Sequence, residues 1–259
     1  MTWFEAMILG LIQGLTEFLP VSSSGHLEIA KSLFGINPEE RFYFTIAVHG
    51  ATVLSTLVVF RREIIKLISG SLKFRMNEET AYVLKIVLSM IPVGIAGVLF
   101  KDPIEAMFNG NLVFVGSMLL ITATLLALAH FIRKRERSIG YFDSLVIGIA
   151  QAIAVIPGIS RSGATIATGL MIGNRKDEIA KFSFLMVLIP VIGANILEIV
   201  TGEAGTGSAG IGVILIGFVT AFFSGYLACR WMIGLVKRSR LIWFSVYCLI
   251  IGLAALLLG

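Results

Sequence analysis

Residues 13–26 read QGLTEFLPVSSSGH and lie inside an apolar run that begins at Trp3. They place one amide, one carboxylate, four hydroxyls and one imidazole where polar groups are costly unless paired or functional. Gln13 and Glu17 are four apart, so on a helix they share one face. Pro20 stops that helix. Ser22, Ser23, Ser24 and Gly25 suit a tight turn and the N-cap of a second helix, whose first turn would hold His26. The two pieces, 3–19 and 25–34, each fall short of the ~20 residues a bilayer span needs. They read as a re-entrant hairpin with its tip at 22–24, a break tolerated where it lines a cavity inside the protein. Gly10 and Gly14 give the first piece a small-residue face for close packing.

Working outward, the chain has 259 residues, 57% hydrophobic and 14% charged. That composition excludes an ordinary soluble domain and indicates an all-α polytopic membrane protein. The apolar runs are continuous rather than alternating, which excludes a membrane β-barrel. Cys229 and Cys248 sit in apolar segments without metal-type spacing and read as packing residues. The N-terminal segment lacks a basic flank, and its polar cluster interrupts the apolar stretch, so no signal peptide is expected.

Three full spans are expected after the first hairpin, at 42–60, 82–100 and 112–132, with an amphipathic surface piece at 63–68. The pattern then restarts. A short apolar helix at 141–156 is broken by Pro157 and Gly158. Residues 159–162 form a tip, a short helix covers 163–172, and spans follow at 182–200, 211–229 and 241–258. At an offset of 138, Gln13 matches Gln151, Ser22 matches Ser160, Ser24 matches Ser162 and Gly25 matches Gly163, while Ser23 falls opposite Arg161. The expected architecture is a single integral membrane domain, 1–259, with repeats 1–138 and 139–259. Each repeat holds one hairpin and three spans. Three is odd, so the second repeat should be inverted, as in many secondary transporters.

The charges test this topology. The net charge is +5, and 16 of the 21 Lys and Arg fall in 61–81, 133–140, 174–181 and 230–240. The opposite loops, 101–111 and 201–210, hold one between them. By the positive-inside rule the basic side is cytoplasmic and both termini face outward. The same distribution argues against nucleic acid as a partner. The glycine-rich 202–212 reads as a flexible outer loop.

Arg161 at a tip at membrane depth costs roughly 2.5–3.5 kcal/mol unless compensated. An ion pair with Glu17 would compensate it, and arginine is also the preferred fork for phosphate oxygens. Ser160, Ser162, Gly163 and Thr165 surround it in sequence and are expected to bind the substrate with it. Two helix starts, at Gly25 and Gly163, would point free N–H groups at one volume. A carboxylate, hydroxyls and a histidine beside such donors match the needs of phosphate ester hydrolysis. Lys85, His130 and Glu198 lie near span ends and read as interfacial. His49 and Asn195 lie deeper, with packing and substrate lining both open.

The stretches QGLTEFLPVSSSGH and PGISRSGAT (157–165) resemble the two signature motifs of the bacterial undecaprenyl-pyrophosphate phosphatase family, also known for bacitracin resistance. The resemblance covers the whole chain in length, motif order and hydrophobic pattern. It implies an inverted-repeat membrane fold in the bacterial plasma membrane. It also implies an outward-facing site that removes one phosphate from C55 polyprenyl pyrophosphate. Glu17, Ser23, His26 and Arg161 match the family's functional positions; Gln13, Ser22, Ser24 and Gly25 would line the substrate. A divalent cation, Mg²⁺ or Ca²⁺, is expected on Glu17, and Gln13 stands where a second carboxylate is also allowed. Expected partners are the lipid substrate, membrane lipids and, as a candidate, a second copy in a homodimer; bacitracin would compete for the substrate. The nucleophile stays open among Ser23, His26 and water. A polyprenyl-phosphate flippase is the alternative, since it needs the phosphate site but no nucleophile and base.

Overall fold

The computed structural model describes residues 1–36, 38–132, 136–200, 210–237 and 241–259, with 38–43, 197–200 and 237 described by backbone alone. The loop charges at 133–135 and 238–240, the loop at 201–209 and the side chain of Glu198 therefore lie outside the described residues. The described chain is helical apart from its connections. The first hairpin is α1 (Trp3–Phe18) and α2 (Ser23–Phe34), followed by α3 (Pro38–Val59), α4 (Arg61–Ser71), α5 (Glu78–Leu99), α6 (Lys101–Ala106) and α7 (Leu112–Phe131). The second is α8 (Tyr141–Ile153) and α9 (Arg161–Met171), followed by α10 (Lys176–Met186), α11 (Leu188–Val200), α12 (Ile211–Lys237) and α13 (Leu241–Leu258).

Among the described residues, five stretches are long and apolar enough to cross a bilayer: Glu78–Leu99, Leu112–Phe131, Lys176–Ile196, Ile211–Val236 and Leu241–Leu258. A sixth arises if α3 and α4, bent by 74°, count as one. Their outer faces expose large apolar side chains such as Val98, Phe131 and Leu257, a surface suited to lipid rather than water. The protein is an all-α polytopic membrane protein.

Several boundaries depart from the sequence reading. The second helix of each hairpin starts two residues earlier than expected, at Ser23 and at Arg161. The Ser22 hydroxyl accepts the Gly25 N–H at 3.2 Å, and the Ser160 hydroxyl accepts the Gly163 N–H at 3.0 Å. An N-cap oxygen satisfies the donor three residues on, so the caps are Ser22 and Ser160. The span expected at 182 begins at Lys176 instead. Its charges read as loop, but Asp177 and Glu178 sit in the first turn of α10, where the helix dipole favours carboxylates. Helix α12 likewise runs past Cys229 and carries Arg230, whose Nη1 donates to the Tyr226 hydroxyl at 3.2 Å.

The hairpins are held by exchanged contacts. Helix α1 packs on α12 and α8 on α5, while α7 and α13 pair with each other. A methyl on Gly14 would sit 2.5 Å from the Ala221 carbonyl oxygen, and one on Gly148 would sit 2.3 Å from that of Ser89. No side chain fits at either crossing. Each hairpin thus leans on a helix from the other half of the chain. The buried Asp143 accepts hydrogen bonds from Gly140 N, Arg137 Nη2 and Asn174 Nδ2, which ties the start of α8 to the end of α9. Cys229 and Cys248 are buried and free, as packing residues should be. The Lys85 ammonium lies 5.7 Å from the Tyr141 ring centre, and the His130 ring packs edge-on to Phe131.

Candidate active site

The two hairpin tips meet. A Cβ on Gly25 would lie 3.1 Å from Gly158 Cα, and one on Gly163 would lie 3.4 Å from Pro20 Cβ. The start of each short helix therefore abuts the break of the other hairpin. Ser162 reinforces the contact by donating to the Leu19 carbonyl at 3.1 Å.

Glu17 is the centre of what this contact assembles. Its Oε2 accepts the Ser23 hydroxyl at 2.6 Å and Gln13 Nε2 at 3.0 Å. Its Oε1 pairs with Arg161 Nη2, the ion pair anticipated from sequence. One carboxylate thus gathers three of the expected site residues from α1, α2 and α9. Ser23 and Arg161 each occupy the first position of their helices, so both project at a helix N-terminus. There, free N–H groups and the dipole favour an anion. Among the described residues, Arg161 Nη1 and Gln13 Oε1 are buried without a hydrogen-bond partner. Both belong to side chains already bonded to Glu17, so they leave one donor and one acceptor uncommitted beside the carboxylate.

The remaining expected residues build the frame. Ser22 Oγ and Ser24 Oγ lie 3.3 Å apart, and Ser160 Oγ and Ser162 Oγ lie 3.4 Å apart. Ser22 holds a positive φ of 70°, unusual for a residue with a side chain. Thr165 Oγ1 donates to the Arg161 carbonyl at 2.9 Å and meets Ser183 Oγ at 2.6 Å, so it braces the first turn of α9. His26 is not drawn into the cluster. Among the described residues no hydrogen bond joins it to Glu17, Ser23 or Arg161. Its ring instead contacts the Ser22 carbonyl and the Tyr247 hydroxyl, each at 2.8 Å.

The structure adds residues that the motifs did not mark. Thr122 of α7 accepts from Ser160 N at 3.0 Å and donates to the Gly158 carbonyl at 3.1 Å, pinning the second break. His49 of α3 lies within electrostatic reach of Glu17 and Arg161, with Nδ1 2.9 Å from the Thr45 carbonyl. Neither lies within a sequence cluster, and only His49 carried a signal, as an ionisable group inside a span.

The fold and site are those of a helical membrane protein that gathers a half-buried Arg–Glu–Ser cluster at two helix starts. A family model described as Bacitracin resistance protein BacA matches residues 6–254, and the chain belongs to that family. It is similar over its length to proteins named undecaprenyl-diphosphatase. The one from Bacteroides fragilis is 53% identical over 263 residues, 100% of this chain and 99% of the relative. The one from Bacteroides thetaiotaomicron is 54% identical over 261 residues, 99% of each. The one from Desulforapulum autotrophicum is 38% identical over 276 residues, 100% of this chain and 99% of the relative.

Proposed function

We propose that the protein hydrolyses undecaprenyl diphosphate to the monophosphate and inorganic phosphate, returning the lipid carrier to cell-wall synthesis. The observation that carries this reading is the Ser23 hydroxyl held 2.6 Å from Glu17 Oε2, beside an arginine with an unpartnered nitrogen. A flippase needs the arginine but has no use for a hydroxyl poised on a carboxylate. The relatives named undecaprenyl-diphosphatase agree with the hydrolytic reading.

The proposed chemistry uses these contacts. Arg161 Nη1 and the N–H groups at the starts of α2 and α9 bind the terminal phosphate. Ser23 Oγ attacks its phosphorus while Glu17 Oε2 takes the hydroxyl proton. The bridging P–O bond breaks and undecaprenyl monophosphate leaves. Water then attacks the phosphoserine, Glu17 returns its proton to Ser23 Oγ, and inorganic phosphate departs. Arg161 offsets the charge that develops in both steps. The free Gln13 Oε1 and the Glu17 carboxylate are hard oxygen donors and suit Mg²⁺ or Ca²⁺. Such a cation, when bound, would neutralise phosphate charge.

The reading extends to orientation. Residues 1–138 and 139–259 form an inverted repeat, supported by the exchanged packing of α1 on α12 and α8 on α5. The site then faces the outer side of the bacterial plasma membrane, supported by the Lys and Arg asymmetry. A C-terminal reporter active only in the cytoplasm should stay silent; a strong signal would reverse the topology. For the reaction, purified protein in detergent with undecaprenyl diphosphate and Mg²⁺ or Ca²⁺ should release phosphate with no membrane gradient. Lipid movement in vesicles without phosphate release would favour the flippase.

A further inference from the structure

His26 is fixed at both ring nitrogens, and the second partner comes from the far end of the chain. Nδ1 lies 2.8 Å from the Ser22 carbonyl oxygen. A carbonyl can only accept, so Nδ1 carries the proton. In the neutral ring Nε2 is then bare and accepts the Tyr247 hydroxyl, 2.8 Å away. The two rings lie 6° from parallel with centres 5.5 Å apart, which locks the ring plane as well. The Ser22 carbonyl is itself held by the tip, since it also accepts the His26 backbone N–H at 3.1 Å. Tyr247 belongs to α13 and is 40% exposed, so the pair lies at the edge of the tip rather than in its core. His26 and Ser23 are three apart on α2, neighbours on one helix surface.

We propose that Tyr247 is a positioning residue: its hydroxyl keeps His26 Nε2 unprotonated and oriented until a water takes the hydroxyl's place. This rests on the hydrolytic reading above. In the first step Glu17 has taken the Ser23 proton, so Glu17 cannot also activate the second-step water. His26 Nε2 fills that gap. It takes one proton from the water as the water oxygen bonds to phosphorus. The Oγ–P bond breaks, Ser23 Oγ regains its proton from Glu17, and His26 then passes its extra proton to solvent.

The test is Tyr247→Phe in the full chain, which keeps the stacked ring and removes only the hydroxyl. kcat should fall about tenfold with KM little changed, a fraction of the roughly 10²–10⁴ that a positioned acid–base group supplies. Monophosphate should appear in a burst ahead of inorganic phosphate, because only the second step is slowed. In a His26→Gln background the same substitution should change nothing further. Wild-type turnover without a burst, or an equal loss in both backgrounds, overturns the proposal. A second readout does not depend on turnover. The chain has three histidines, so ring ¹⁵N resonances can be assigned by comparison with His26→Gln. The proposal expects a bare, hydrogen-bonded Nε2 on His26 that shifts in Tyr247→Phe; an unshifted or protonated Nε2 contradicts it. If wild-type protein released no phosphate, the hydrolytic reading would fail while this spectrum still decided the Tyr247–His26 lock.

Discussion

The two hairpins share a frame and differ in what they carry. In each, a proline-containing break precedes a serine that caps the next helix on a glycine N–H, at Ser22 for Gly25 and at Ser160 for Gly163. In each, two serine hydroxyls flank the first helical residue, and a glutamine sits on the preceding helix. The groups given roles in the proposed mechanism fall where they diverge: Glu17 stands opposite Val155, Ser23 opposite Arg161 and His26 opposite Ala164. The glutamines show the consequence. Gln13 donates to Glu17. Gln151, buried and facing no such carboxylate, has both amide atoms unpartnered among the described residues. On the mechanism proposed above, the shared frame supplies two helix starts for an anion, and the differing residues add a base, a nucleophile and a cation.

The largest effect expected from breaking this asymmetry is at Glu17. Glu17→Ala removes the proposed base and strands a half-buried arginine, so phosphate release should fall on the order of 10³-fold or more. Gln13→Ala removes one donor to the same oxygen and should retain more activity. Gln13→Glu should stay active with altered metal dependence. Steady-state assays of the three variants decide it, and a milder Glu17→Ala would reverse the two roles. At the other extreme, Gln151→Met exchanges an unpartnered amide for an apolar side chain of similar length. It should leave turnover unchanged and raise stability by about 1 kcal/mol, since an unsatisfied buried polar group costs at least that. A marked loss of phosphate release would place Gln151 in the site and equalise the hairpins.

Much of this was legible in the sequence because it is local. Pro20 and Pro157–Gly158 announce the breaks, and the serines beyond them announce that a capped helix follows. The 138-residue offset pairs the tips, so the meeting of Glu17, Ser23 and Arg161 follows from the motifs. What was not legible depends on distance or on competing local signals. Tyr247 lies 221 residues from His26 in an unremarkable apolar run, and only the packing of α13 joins them. The start of α10 is hidden because charges at 175–178 look like loop, although acidic residues there stabilise a helix N-terminus. The helix starts at Ser23 and Arg161 lie two residues ahead of the sequence expectation because serine-rich tips read equally well as turn.

The central claim is that Arg161 binds the phosphate as well as pairing with Glu17. Arg161→Lys keeps the charge and can keep the ion pair, but it loses the planar fork and the free second nitrogen. Phosphate release from purified Arg161→Lys, with a thermal melt beside wild type, separates the two roles. The expected result is a near-wild-type melt and a rate reduced on the order of 10²–10³-fold, the usual loss for one preorganised donor. Near-normal turnover would contradict it and leave Arg161 as a structural counter-ion.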